Sequence, residues 1–99
     1  MQLEFEDDDL EHLAYASEFH TTRWSPEVTK AYRKVVFLIK NATDERDIRN
    51  FKGLRLEKLK GTRAGTSSVR INDQYRLILR FETHADNKVA VIIEAVDYH

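Results

Sequence analysis

The sequence predicts an α+β domain in which N-terminal helices pack on a mostly antiparallel, twisted sheet. Three observations predict it. Apolar residues recur at three- and four-residue spacing in the first half of the chain; from Leu54 onward they alternate with polar ones; and two short polar segments, Asn72-Asp73-Gln74 and His84 to Asn87, separate alternating runs in the manner of hairpin turns. With 99 residues, 41% of them hydrophobic, the chain has room for one core and no second domain, so residues 1–99 are expected to form a single unit.

Gln2 to Phe5 alternates polar and apolar as a short edge strand does. Asp7, Asp8 and Asp9 then offer capping and dipole-complementing carboxylates to a helix carrying Leu10, Leu13 and Ala14. A cation loop is a poor account of the three aspartates, because neither a glycine turn nor further oxygen ligands follow at loop spacing. Ser25 and Pro26 form a strong helix start, with serine as cap and proline at the first helical position, where its missing N–H costs nothing. Val28, Ala31, Tyr32, Val35, Leu38, Ile39 and Ala42 then make one apolar stripe, while Lys30, Arg33, Lys34 and Lys40 take other faces. Asn41 ends that helix, Thr43 with Asp44 and Glu45 caps a shorter one through about Arg49, and Gly53 breaks the helical pattern.

Strands are predicted at 54–58, 67–71, 75–82 and 89–96, with the long helix covering one face of the sheet. In the third of these, Tyr75, Leu77, Leu79 and Phe81 share one face and belong to the core. Arg76, Ile78, Arg80 and Glu82 share the other, which is expected to be exposed or half-exposed, with Arg70 adding a third arginine from across the hairpin. The last strand is apolar on both faces except for Glu94 and is expected to be central, so that Asp97, Tyr98 and His99 emerge beside the basic strand.

Charge is divided unevenly along the chain. Residues 1–22 hold seven acidic residues and no Lys or Arg, whereas residues 49–80 hold nine basic residues against Glu57 and Asp73, in a chain whose formal net charge is -1. The basic part is a candidate anion or nucleic-acid face. The acidic part either screens that face intramolecularly or is a capped, solvated helix start. With no cysteine, disulfides, thiolate metal sites and cysteine nucleophiles are excluded. The acidic start does not read as a secretory signal, and the longest apolar runs are far too short to cross a bilayer, so a cytoplasmic protein with no membrane role is expected.

Lys58, Lys60, Gly61, Arg63 and Gly65 form a cationic loop whose glycines let the backbone approach a ligand. It lacks the glycine spacing and following Ser/Thr of nucleotide-hydrolase loops. Its interest lies in convergence with Arg70, Arg76 and the terminal Asp-Tyr-His. Those residue types suit RNA cleavage by internal 2′-OH attack, which needs a base, cations for the phosphorane and an acid for the leaving oxygen. Histidine carries protons near neutral pH, and a tyrosine can stack on a base. The same residues also admit a structural account, in which Tyr98 closes the edge of the core and Arg70 and Arg76 pair with Glu94 and Asp97.

The segment LEKLKGTRAGTSSVRINDQYRLILRF, with the closing VDYH, resembles the HigB-type toxins of bacterial type II toxin–antitoxin modules, within the RelE-like superfamily. The most specific parts are the hairpin RINDQYR and Asp97-Tyr98-His99. The resemblance implies a RelE-like, microbial-ribonuclease-like fold and a metal-independent endoribonuclease without cofactors that cleaves mRNA in the ribosomal A site, inhibiting translation and growth. It implies a cognate helix-turn-helix antitoxin, HigA-like, as partner, and operator DNA only through that antitoxin. Carried over by motif position, the catalytic set is Lys60, Arg76, Asp97, Tyr98 and His99, and the basic stretch supplies Lys58, Arg63, Arg70 and Arg80 as nucleic-acid-binding residues. Some family members have a histidine where this chain has Glu57, so that proton-transfer role moves to Glu57, shifts to His99 or is absent. Two other readings of the chain are a non-catalytic regulatory or partner-binding module with the same fold, and a relative acting on gyrase.

Overall fold

A computed structural model describes residues 1–97. The chain runs β1 (Gln2–Phe5), α1 (Asp8–Tyr15), α2 (Pro26–Asn41), α3 (Glu45–Asn50), a 3-10 turn (Lys52–Leu54), β2 (Glu57–Lys58), a second 3-10 turn (Gly61–Arg63), β3 (Ser67–Arg70), β4 (Tyr75–His84) and β5 (Asn87–Asp97). The strands form one sheet in the order β1-β5-β4-β3-β2, antiparallel except for the parallel pairing of β1 with β5. The expected fold class is therefore the observed one. No helix among the described residues is long and apolar enough to cross a membrane.

The helix starts follow from their caps. The Asp7 carboxylate accepts from the backbone N–H of Leu10 at 3.0 Å, the Ser25 hydroxyl from Val28 at 3.4 Å, and the Asp44 carboxylate from Arg46 at 2.9 Å. The α2 stripe buries Tyr32, Val35, Val36 and Ile39 against Leu10 and Leu13 of α1 and against Val69, Ile71, Leu77, Leu79, Ala90 and Ile92 on the facing side of the sheet. Each large aliphatic side chain so buried contributes about 1.5–3 kcal/mol. Tyr32 sits wholly inside and donates its hydroxyl to the Leu10 carbonyl at 2.7 Å, which ties α2 to α1; burial pushes its phenol well above the usual tyrosine range. The Arg33 guanidinium donates to the carbonyls of Leu13, Ala16 and Phe19 at 2.7, 3.0 and 2.9 Å, closing the end of α1 and holding the connection to α2.

Both hairpins form where the polar segments predicted them. Asn72 accepts from the N–H groups of Gln74 and Tyr75 at 2.9 and 2.7 Å, and Ala85 and Asp86 both take positive φ (48° and 72°), the geometry of a two-residue turn between twisted strands. Two sequence expectations need correction. The strand expected at 54–58 shrinks to Glu57–Lys58, because Leu54 is drawn into the core at 3% exposure through a 3-10 turn that leaves Arg55 at φ 47°.

The second correction concerns the sheet face turned away from the helices, which was expected to be exposed or half-exposed. Arg80 and Glu82 are half-buried, but Arg76 is 8% and Ile78 3% exposed. The register explains this. Ile78 pairs with Glu94 whereas Leu79 pairs with Ile92, so Ile93 is an extra residue on β5; Arg80 and Glu82 then lie opposite Val91 and Val89, both buried. An apolar strip of Ile78, Val91 and Val89 thus runs up this face as well.

Candidate nucleic-acid interface

Directly paired residues on neighbouring strands share a face, so the register places Glu57, Ser68, Ile78 and Glu94 in one row across β2, β3, β4 and β5 on the side away from the helices. Arg70, Arg76 and Val96 form the next row. This is where the cationic loop, the basic strand and the end of β5 meet.

The loop is shaped by its glycines. Gly61 and Gly65 have φ 67° and 89°, and no protein atom lies within 4 Å of where a side chain would start at either. Glycine is needed there for the left-handed backbone and not for lack of space. Between them Arg63 is anchored at its backbone, its carbonyl accepting from the Thr66 hydroxyl at 2.6 Å and the Thr66 N–H at 3.1 Å. Its guanidinium donates to the Glu94 carboxylate at 2.6 Å. A side chain from the edge of the sheet therefore spans the face over β4 to reach β5.

Arg76 occupies the floor of this region. Its Nε donates to the Ser68 hydroxyl at 2.9 Å, and one terminal nitrogen donates to the carbonyls of Arg55 at 2.6 Å and Ser68 at 3.2 Å. It braces β4 against β3 and against the strained turn before β2. The exposure expected of it is not found, because two of its nitrogens are turned onto the protein's own carbonyl and hydroxyl oxygens.

The other expected residues divide between the two faces and the rim. Glu57 is exposed on the Arg76 side. Lys58 alternates to the helix side, where with Glu45, Ser67 and Phe81 it borders a cleft of about 370 Å³. Lys60 is exposed at the start of the loop turn, and among the described residues no carboxylate forms an ion pair with it. Arg70 pairs with Asp73, not with Glu94, and holds that carboxyl below the usual range. Arg80 is engaged by Glu82 and by Glu6 at 3.2 Å, and its hydrogen bond, then that of His84, holds the Glu82 carboxyl low. Asp97 lies opposite Tyr75, on the core-side row rather than that of Arg76, and accepts from Gln74 at 3.1 Å. Tyr98 and His99 lie outside the described residues.

Sequence reasoning missed Ser68 and the Arg55 carbonyl as members of this region, and it offered Glu94 to Arg70 or Arg76 where the structure gives it to Arg63. Glu94 had a signal, as the one charged residue in an otherwise apolar run, but the bulge that sets its row is invisible in sequence. The acidic N-terminus has both of the roles weighed for it: Asp7 caps α1, while Glu6 reaches Arg80 and Glu4 lies 3.7 Å from His84.

Comparison with known proteins adds to this geometry. Residues 3–99 match the model of the HigB-like toxins, described as RelE-like toxin of the type II toxin–antitoxin system HigB. Among solved structures, the chain is similar to a YoeB/ParE toxin from Agrobacterium tumefaciens at a TM-score of 0.60 and 18% identity, covering 100% of both chains. It is similar to the toxin fold in a YoeB-YefM complex from Staphylococcus aureus (TM-score 0.55, 19% identity, 100% of this chain and 97% of that chain). A YoeB dimer from the same organism gives a TM-score of 0.52 at 20% identity over the same shares. At these identities the structures speak for the fold. No curated protein sequence matches significantly.

Proposed function

The chain belongs to the HigB-like family of RelE-like toxins of type II toxin–antitoxin systems, and on that premise we propose that it is a ribosome-dependent mRNA endonuclease that arrests translation and growth. The observation that carries this reading is the meeting on one sheet face of the Gly61–Gly65 cationic loop, the buried guanidinium of Arg76 and the end of β5.

Such a face supports 2′-OH attack on the adjacent phosphodiester. Lys60 and Arg76 supply positive charge where the phosphorane becomes more negative, and fixed cations of this kind act without reorganising during the reaction. His99 moves protons between the 2′-OH and the leaving 5′-oxygen and Tyr98 orients or stacks on the nucleotide, whereas Asp97, on the core-side row opposite Tyr75, is not counted among the proton carriers of this face. Glu57, exposed in the row beside Arg76, is the other candidate proton carrier. Arg63 and Arg70 hold the RNA backbone, and Arg80, already engaged by two carboxylates, lies at the far end of the same face. The proposed partner is a helix-turn-helix antitoxin, HigA-like, through which alone operator DNA is met; that solved YoeB-YefM structures are toxin–antitoxin complexes supports an antitoxin partner and leaves its class to the proposal. The proposed site of action is the cytoplasm.

Induction in bacteria of the wild-type chain and of a truncation lacking Tyr98 and His99, with mapping of transcript 5′ ends, tests the proposal. Growth arrest with new in-frame cuts for the wild type and neither for the truncation is expected. Equal growth and intact mRNA would overturn it, and relaxed plasmid DNA in place of cut mRNA would redirect it to gyrase.

A further inference from the structure

Four arginines stand along the face away from the helices, and they differ in what holds them. Arg70 is paired locally, through one terminal nitrogen, with Asp73 of its own hairpin. Arg76 is buried with two nitrogens turned onto Ser68 and Arg55. Arg80 is bound by Glu6 and Glu82 through separate nitrogens. Arg63 is different. Its backbone is fixed by Thr66, its side chain is 45% exposed, and it uses a single terminal nitrogen for a single oxygen of Glu94. Its Nε and other terminal nitrogen make no hydrogen bond among the described residues, so a fork of donors stays open to solvent at a fixed place.

The ion pair is a weak device for stability. Both partners are nearly half exposed, and exposed pairs contribute about 0–1 kcal/mol. What the contact does accomplish is geometric: it joins a loop at one edge of the sheet to β5 across 31 residues of sequence and aims a planar cation over the row of Glu57, Ser68 and Ile78. A guanidinium is suited to bidentate recognition of a phosphodiester, which a partly occupied but oriented fork can provide.

We infer that Glu94 is a positioning residue that holds the Arg63 guanidinium in place as a phosphodiester ligand of this face, a part for which neither the loop motif nor the terminal triplet provides. This rests on the ribonuclease reading for its catalytic consequence, but the phosphate contact itself does not. Glu94 carries a negative charge beside the RNA path, so simple electrostatics and positioning predict opposite signs for its removal. Without the carboxylate the RNA is repelled less, yet Arg63 loses its aim.

The test uses the full chain as wild type, Arg63→Ala, Glu94→Ala and the exchange Arg63→Glu with Glu94→Arg. Single-turnover cleavage of mRNA on programmed ribosomes gives the catalytic readout. Affinity for a short single-stranded RNA with 2′-O-methyl groups, measured over a salt series, gives the phosphate readout. Arg63→Ala is expected to weaken that affinity and to reduce the log–log salt slope by about 0.7, the loss of one phosphate contact on a single strand. Glu94→Ala is expected to bind the RNA at least as tightly as wild type and to cleave about tenfold more slowly, as misplacement of an oriented cation costs rate without costing charge. The exchange re-forms the pair but does not restore cleavage, because the guanidinium then sits on the wrong strand. Faster cleavage by Glu94→Ala, or recovery of cleavage by the exchange, would overturn the positioning role. An unchanged salt slope for Arg63→Ala would overturn the phosphate contact. A wild-type chain that binds with the expected slope but does not cleave would sink the ribonuclease reading and leave Arg63 as a phosphate ligand.

Discussion

Arg76 and Arg55 meet through a guanidinium-to-carbonyl hydrogen bond of 2.6 Å across 21 residues of sequence, and Arg55 holds a left-handed backbone at φ 47° to make its carbonyl available. The arginine nearest the centre of the candidate site is thus also a brace for the turn that leads into the cationic loop. Its charge and its hydrogen bonds do different work, and substitution separates them.

Arg76→Lys keeps the charge but an ammonium cannot reach Ser68 and Arg55 together as the planar fork does. Urea unfolding is expected to show a loss of about 1–3 kcal/mol, the cost of leaving buried acceptors without their donor. Cleavage is expected to fall with it. Wild-type stability in this variant would mean that the brace is unimportant.

Lys60 stands at the start of the Gly61–Arg63 turn, exposed and without a carboxylate ion pair among the described residues. Its replacement by alanine is expected to leave the unfolding midpoint unchanged and to lower single-turnover cleavage by about tenfold or more, as removal of one fixed cation from a developing oxyanion does. Loss below twofold would remove Lys60 from the site.

Arg33 holds three carbonyls at the end of α1 and in the segment that follows, on the helix side of the sheet. Arg33→Ala is expected to destabilise the fold by about 1–3 kcal/mol, since hydrogen bonds to a charged donor are the stronger kind. Limited proteolysis is expected to find new cuts in residues 16–24. Cleavage per folded molecule is expected to stay at the wild-type level, because the site lies on the opposite face.

Glu82 has its carboxyl held below the ordinary value of 4.5, chiefly by hydrogen bonding from Arg80 and then from His84. A carboxyl lowered in the folded state adds stability that is present above its unfolded pKa and is lost as the pH falls through the folded one. The melting temperature of wild type minus that of Glu82→Gln is therefore expected to be positive at neutral pH and to shrink as the pH drops from about 4.5 downward. A difference that stays constant through that range would show that the pair does not act through charge.

Much of the fold was legible in the chain because local rules and tertiary packing agree there. Asp7, Ser25 and Asp44 cap helices by bonding residues two or three positions away, and Asn72 closes its hairpin in the same way. The α2 stripe and the alternation of Tyr75, Leu77, Leu79 and Phe81 fix which faces meet. Such features depend on near neighbours, and the sequence writes neighbours in order.

The site was legible only in its parts list. That Lys60, Arg63 and Arg76 lie near one another could be read from a basic loop and a hairpin, but not which of them is buried, which is aimed and by what. Those outcomes depend on the Ile93 bulge, which sets Glu94 in the Ile78 row, and on the Ser68 hydroxyl and the Arg55 carbonyl that take the Arg76 guanidinium. By itself the sequence determined the helices, the hairpins and the sign of the charge on one face. The tertiary structure decided that Arg76 braces, that Arg63 is held by Glu94 and that Lys58 faces away, because register and burial arise between segments far apart in the chain, where no local pattern records them.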